Sequence, residues 1–102
     1  MDLNIYENEI QKICEEEDIS VMGVFGSVAR GDERTDSDID IIIEYNHNDK
    51  SLFDLIRLED RLSKLFNREV DLLTENSIKP YIVDNVEKDL KLLYYWQMIE
   101  VE

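Results

Sequence analysis

Apolar positions along this chain recur in two rhythms, one of three to four residues and one of two. Residues 3–17 place Tyr6, Ile10, Ile13 and Cys14 on one helical face, with acidic residues elsewhere. Residues 19–25, Ile-Ser-Val-Met-Gly-Val-Phe, read as a buried strand that ends at Gly26-Ser27. A short turn or helix through Val28-Ala29-Arg30 is closed by Gly31, and Asp32 to Ser37 is a polar loop. Residues 38–44, Asp-Ile-Asp-Ile-Ile-Ile-Glu, form a second strand rich in β-branched side chains. After a turn-forming loop from Tyr45 to Lys50, Ser51 caps a helix with Asp54 in its first turn. That helix spaces Leu52, Leu55, Leu58, Leu62 and Leu65 as an apolar stripe. Residues 69–73 make a third short strand; Pro80 then opens a helix whose apolar face is Ile82, Val83, Val86 and Leu90. No repeat or low-complexity segment is seen, and residues 1–102 read as a single domain. The alternation predicts an α/β (α+β) fold: a small mixed sheet of about three strands with helices packed on it.

The two-residue rhythm matters most at Asp38 and Asp40. On a strand these side chains point the same way, while Ile39, Ile41 and Ile43 point into a core. Asp71 lies in the later strand between Val70 and Leu72. If the two strands pair, three carboxylates converge, and at least one has its pKa raised unless a cation intervenes. Hard oxygen ligands that leave room for water and phosphate select magnesium or manganese. Taken alone, an aspartate pair at a strand end is equally consistent with a loop cap or a solvated edge. A calcium loop starting at Asp36 fails because Ile41 stands where such a loop needs glycine.

Gly26-Ser27 follows a strand and opens a turn, a place where backbone N–H groups meet anions. Glycine lets a phosphate approach closely, and the Ser27 hydroxyl can donate to it. Arg30 can contact phosphate, or pair with Asp32, Asp36 or an acid of the cluster; the residues alone leave both open. The turn is neither a Walker A loop nor a dinucleotide fingerprint.

Composition narrows the partners. Eleven Lys and Arg stand against 25 Asp and Glu, a net charge of −14, which repels long nucleic acids and argues against direct nucleic-acid binding. Such acidity serves solubility, or a basic protein partner. The single cysteine, Cys14, reads as a core thiol and suits a reducing cytosol. No signal peptide is visible, and no apolar run approaches the roughly 20 residues of a membrane span. His47, the one histidine, reads as a surface loop residue. The segment Leu92-Leu93-Tyr94-Tyr95-Trp96 is apolar and aromatic, and suits either a protein contact or the chain's own core.

Combined, these pieces are specific. Gly26-Ser27-Val28-Ala29-Arg30-Gly31, with ten residues between Ser27 and Asp38 and then Asp38-Ile39-Asp40, resembles the defining motif of the DNA polymerase β-like nucleotidyltransferase superfamily. Within it, the chain is similar to the minimal nucleotidyltransferase group. The resemblance implies that Gly26 and Ser27 hold a triphosphate. It implies that Asp38 and Asp40 bind two magnesium ions, and that Asp71 helps bind the one activating the attacking hydroxyl. It further implies transfer of AMP from ATP onto a protein, a tyrosine of a HEPN-domain ribonuclease toxin that this chain would silence as its antitoxin in the cytoplasm. The acceptor would then be brought by the partner or by another copy of the chain, in a homo- or hetero-oligomer. Two other readings stay open: nucleotidylation of a small molecule, and a module that neutralises its partner by contact alone.

Overall fold

The computed structural model describes residues 2–32, 34, 37–47, 49–74 and 89–95. A 3-10 turn, Leu3–Tyr6, leads into α1 (Glu7–Glu16); β1 (Ile19–Phe25), α2 (Gly26–Arg30), β2 (Ile39–Tyr45), α3 (Leu52–Phe66), β3 (Val70–Thr74) and β4 (Lys91–Tyr95) follow. The helix expected from Pro80, with Ile82, Val83 and Val86, lies outside the described residues, as do Asp36 and Trp96.

The four strands form one mixed sheet in the order β3-β2-β1-β4. β1 runs antiparallel to β2 and to β4, and β2 runs parallel to β3. The expected strands are present within a residue or so of their predicted limits. The count of about three becomes four, because the apolar aromatic tail pairs with β1 as an edge strand. The sheet splits the two readings of that tail: Leu93 and Tyr94 pack against the core, whereas Leu92 and Tyr95 are exposed.

One face of the sheet is the core. Ile39, Ile41 and Ile43 from β2, Met22 and Val24 from β1, and Val70 and Leu72 from β3 are buried with Ile10, Ile13 and Cys14 of α1 and Leu58, Leu62 and Phe66 of α3. The Tyr6 ring meets the Phe66 ring edge-on, centroids 5.0 Å apart. Burial pushes the Cys14 thiol up to about 12, as suits an inert core residue. α3 begins as predicted: Ser51 and Asp54 form a reciprocal capping box. Leu52 departs from the expected stripe. It lies 67% exposed with Phe53 and Ile56 on the outer side of α3, and Phe66 takes the core place at the other end.

One ion-pair network had no signal in the sequence. Glu17 follows α1 in a run of acids, yet its side chain is 5% exposed. Arg57 and Arg61 of α3 both reach it, at 3.0 Å and 2.9 Å, and Arg61 also bonds Glu16 at 2.8 Å. The network ties α1 to α3 across the core. His47 is exposed, as expected, and its Nδ1 lies 2.7 Å from Asp18 Oδ2. No helix among the described residues is long and apolar enough to cross a membrane.

Burial raises the Glu17 pKa, but the hydrogen bonds from Arg57 and Arg61 outweigh it, and the net shift is downward. Its contribution to stability is therefore present above the pKa of an unfolded glutamate and lost as pH falls through the lower folded value. Arg57 is half exposed, which moderates the effect. Glu17→Gln is expected to cost about 2 kcal/mol at neutral pH. Thermal melts from pH 7 to pH 2 should show the gap between variant and wild type closing in acid.

Candidate active site

The site is built where three elements meet. β1 ends at Phe25, which registers against Asp40 of the neighbouring antiparallel strand. On the other side of β2 the parallel register sets Asp40 against Asp71, with Ile39 against Val70 and Ile41 against Leu72. The Ile39 N–H donates to the Glu69 carbonyl at 2.9 Å, which holds that register at the strand entrance. Registered residues on adjacent strands share a face, so Asp40 and Asp71 stand side by side opposite the isoleucine core. β2 starts at Ile39, one residue later than expected, and Asp38 sits exposed at its entrance.

The carboxylates sense one another. Partial burial raises the Asp40 pKa, the charges of Asp71 and then Asp38 raise it further, and the Arg30 charge opposes them. All three predicted aspartates thus share one electrostatic neighbourhood. Among the described residues no group of three carboxylate, imidazole or thiolate side chains gathers tightly enough to enclose an ion unaided. The three aspartates are neighbours in charge rather than a closed set of ligands.

Directly over Asp40 lies the turn into α2. Gly26 has φ +74, and a Cβ placed on it would run into the Asp40 carboxylate. Both the backbone angle and the space therefore demand glycine. α2 is a five-residue helix closed by Gly31 in the left-handed region, with the Gly31 and Asp32 N–H groups donating to the Ser27 carbonyl at 2.9 Å and 3.0 Å. Ser27 follows Gly26 at the mouth of this helix, and Val28 and Ala29 anchor it in the core.

Arg30 takes the pairing alternative that the residues had left open. Its Nε donates to Asp32 at 3.1 Å and its Nη1 to Asp89 at 2.8 Å. Asp32 was among the acids expected to pair with it; Asp89 was not. One acid among 25, in a stretch read as helix surface, carries no signal of such a role.

A glycine turn thus closes over Asp40, which registers against Asp71, with Asp38 at the strand entrance. The family model for the nucleotidyltransferase domain matches residues 7–93. The chain belongs to the nucleotidyltransferase domain family. It is 38% identical over 86 residues to a Methanocaldococcus jannaschii protein assigned as a protein adenylyltransferase, covering 84% of this chain and 91% of that one. It is 38% identical over 69 residues to the protein adenylyltransferase MntA of Thermococcus cleftensis, covering 68% of this chain and 69% of that one. A crystal structure of a toxin-antitoxin with AMP-PNP superposes with a TM-score of 0.75 at 25% identity, over 89% of this chain and 74% of that chain. The fold is accordingly that of a nucleotidyltransferase, as the sequence resemblance implied.

Two substitutions probe this geometry. With its pKa raised, Asp40 favours the fold when protonated, and this contribution is lost as pH rises through its folded value. Asp40→Asn should thus melt higher than wild type at pH 7 in chelator, the difference vanishing below the ordinary carboxylate range. Gly26→Ala should lose about 1–3 kcal/mol in the same melts, because it meets both the forbidden backbone angle and the Asp40 carboxylate.

Proposed function

We propose that this nucleotidyltransferase moves AMP from ATP onto a protein, a tyrosine of a HEPN-domain ribonuclease toxin, and so acts in the cytosol as the antitoxin of that toxin. The observation that carries the catalytic part is the register of Asp40 against Asp71 beneath the Gly26 turn. The partner part is supported by the relatives assigned as protein adenylyltransferases and by the likeness to a toxin-antitoxin with AMP-PNP. A net charge of −14 suits contact with a basic, RNA-cleaving partner.

Asp38, Asp40 and Asp71 offer only carboxylate oxygens, a donor set that fits magnesium, or manganese in its place. The raised pKa of Asp40 fits too: partial burial is its largest cause, the charges of Asp71 and Asp38 add to it, and a cation would offset both. Two ions held there would supply Lewis-acid stabilisation of the phosphate and a lower pKa for the attacking hydroxyl. The chain's own task is positioning. Gly26 admits the triphosphate to the end of β2, and the Ser27 hydroxyl and the Arg30 N–H groups left over from its pairs with Asp32 and Asp89 give it donors. The tyrosine hydroxyl loses its proton to solvent, its oxygen attacks the α-phosphorus in line, a new P–O bond forms, the bond to the bridging oxygen breaks and pyrophosphate leaves. With Asp38 and Asp71 exposed, the site suits a tyrosine presented on a protein surface better than a small molecule, which needs a walled pocket.

The test is co-expression with a HEPN-domain toxin. Intact mass should show one or more added AMP units on the toxin, with growth arrest relieved, and Asp40→Asn should fail at both. Full protection by Asp40→Asn with no mass shift would replace catalysis by neutralisation through contact. Transfer of label from α-labelled ATP to a small molecule would retain the site and remove the antitoxin role.

A further inference from the structure

α2 carries the Gly26-Ser27 turn, yet it is only five residues long and cannot set its own angle to the sheet. Its end folds back on its beginning through the two hydrogen bonds to the Ser27 carbonyl, so Ser27, Arg30 and Asp32 move as one unit. Among the described residues, the one ion pair tying that unit to a distant part of the chain is Arg30 Nη1 to Asp89 Oδ2, at 2.8 Å across 59 residues of sequence. Asp89 is itself well placed to act as an anchor. Its side chain is 16% exposed. The next residue, Leu90, lays its side chain on Gly23 in the middle of β1, where even a Cβ would not fit beside it. Lys91 then registers against Val24, and β1 runs on into Phe25 and Gly26. The path from β1 through the turn, α2, Arg30, Asp89 and β4 back to β1 is therefore a closed ring.

On this basis, and resting on the nucleotide site proposed above, we infer that Asp89 is a positioning residue. It holds the Arg30 guanidinium at the C-terminal end of α2, three residues on from Ser27, and that cation meets the phosphates of ATP. Asp89 touches no reacting atom in this scheme; it acts through Arg30. Asp32 grips Nε and Asp89 grips Nη1, a two-sided hold that fixes the plane of the guanidinium. The Arg30 charge is felt at Asp40, which places the held cation in the same field as the carboxylate cluster. Pre-ordering a long side chain removes part of the entropy cost of binding its anion.

The experiment compares wild type, Asp89→Asn, Asp89→Glu, Arg30→Ala and the Arg30→Ala/Asp89→Asn double variant. Each is titrated with ATP in magnesium by calorimetry and assayed with α-labelled ATP and the toxin partner. Asp89→Asn is expected to raise the ATP Kd and KM about tenfold with kcat changed by less than about twofold. Asp89→Glu should recover part of the affinity, and the double variant should bind no worse than Arg30→Ala alone. Unchanged affinity in Asp89→Asn would overturn the inference, as would an Asp89→Asn effect that persists in the Arg30→Ala background. Failure of Asp89→Asn to fold while Arg30→Ala folds would make Asp89 a structural residue and also overturn it. Wild type that neither binds ATP nor transfers AMP would remove the nucleotide site and this role together. Activity in wild type with no Asp89 effect removes this role alone.

Discussion

The parallel pairing of β2 with β3 forces Asp40 and Asp71 side by side on one face of the sheet. Partial burial raises the Asp40 pKa first, and the neighbouring charges of Asp71 and Asp38 raise it further. The cost is borne because the other face of the same strands is the core: Ile39, Ile41 and Ile43 are essentially fully buried. Strand alternation makes the two facts inseparable. Slipping β2 by one residue to relieve the carboxylates would turn three isoleucines out to solvent and bury the acids. Hydrophobic burial thus holds in place an electrostatic arrangement that would not assemble by itself.

The rest of the site answers to that pair. Gly26 is glycine because Asp40 fills the space where a Cβ would go, so the turn can only close over the carboxylate if residue 26 has no side chain. Closure sets the start of α2 against Asp40. Arg30, held at the far end of α2 by Asp32 and Asp89, adds a positive charge that is felt at Asp40. The α1–α3 side of the molecule, joined through Glu17 and two arginines, supplies the rigid backing against which these few residues are positioned.

Much of this was legible in the residues because it depends on local spacing. The alternation of Asp38, Asp40 and the isoleucines announces both the strand and the shared face, and Ser51 with Asp54 announces the start of α3. What the sequence could not convey depends on pairing across distance. β4 reads as an apolar aromatic tail because its strand character rests on pairing with β1, distant in the sequence. Glu17 is one of a run of acids until Arg57 and Arg61 close on it. Asp89 acquires a role only by meeting Arg30 from 59 residues away. Leu52 fits the spacing of the α3 stripe, but the core ends before the first turn of that helix and leaves it exposed beside Phe53 and Ile56.

The central claim is that a registered carboxylate pair beneath a glycine-serine turn makes a site for a nucleotide only when cations offset its charge. Isothermal titration of ATP into the wild-type chain, once with magnesium and once with chelator, tests this directly. Binding should be measurable with magnesium and lost in chelator, since a triphosphate would otherwise meet three carboxylates of its own sign. Equal affinity under both conditions would contradict the account.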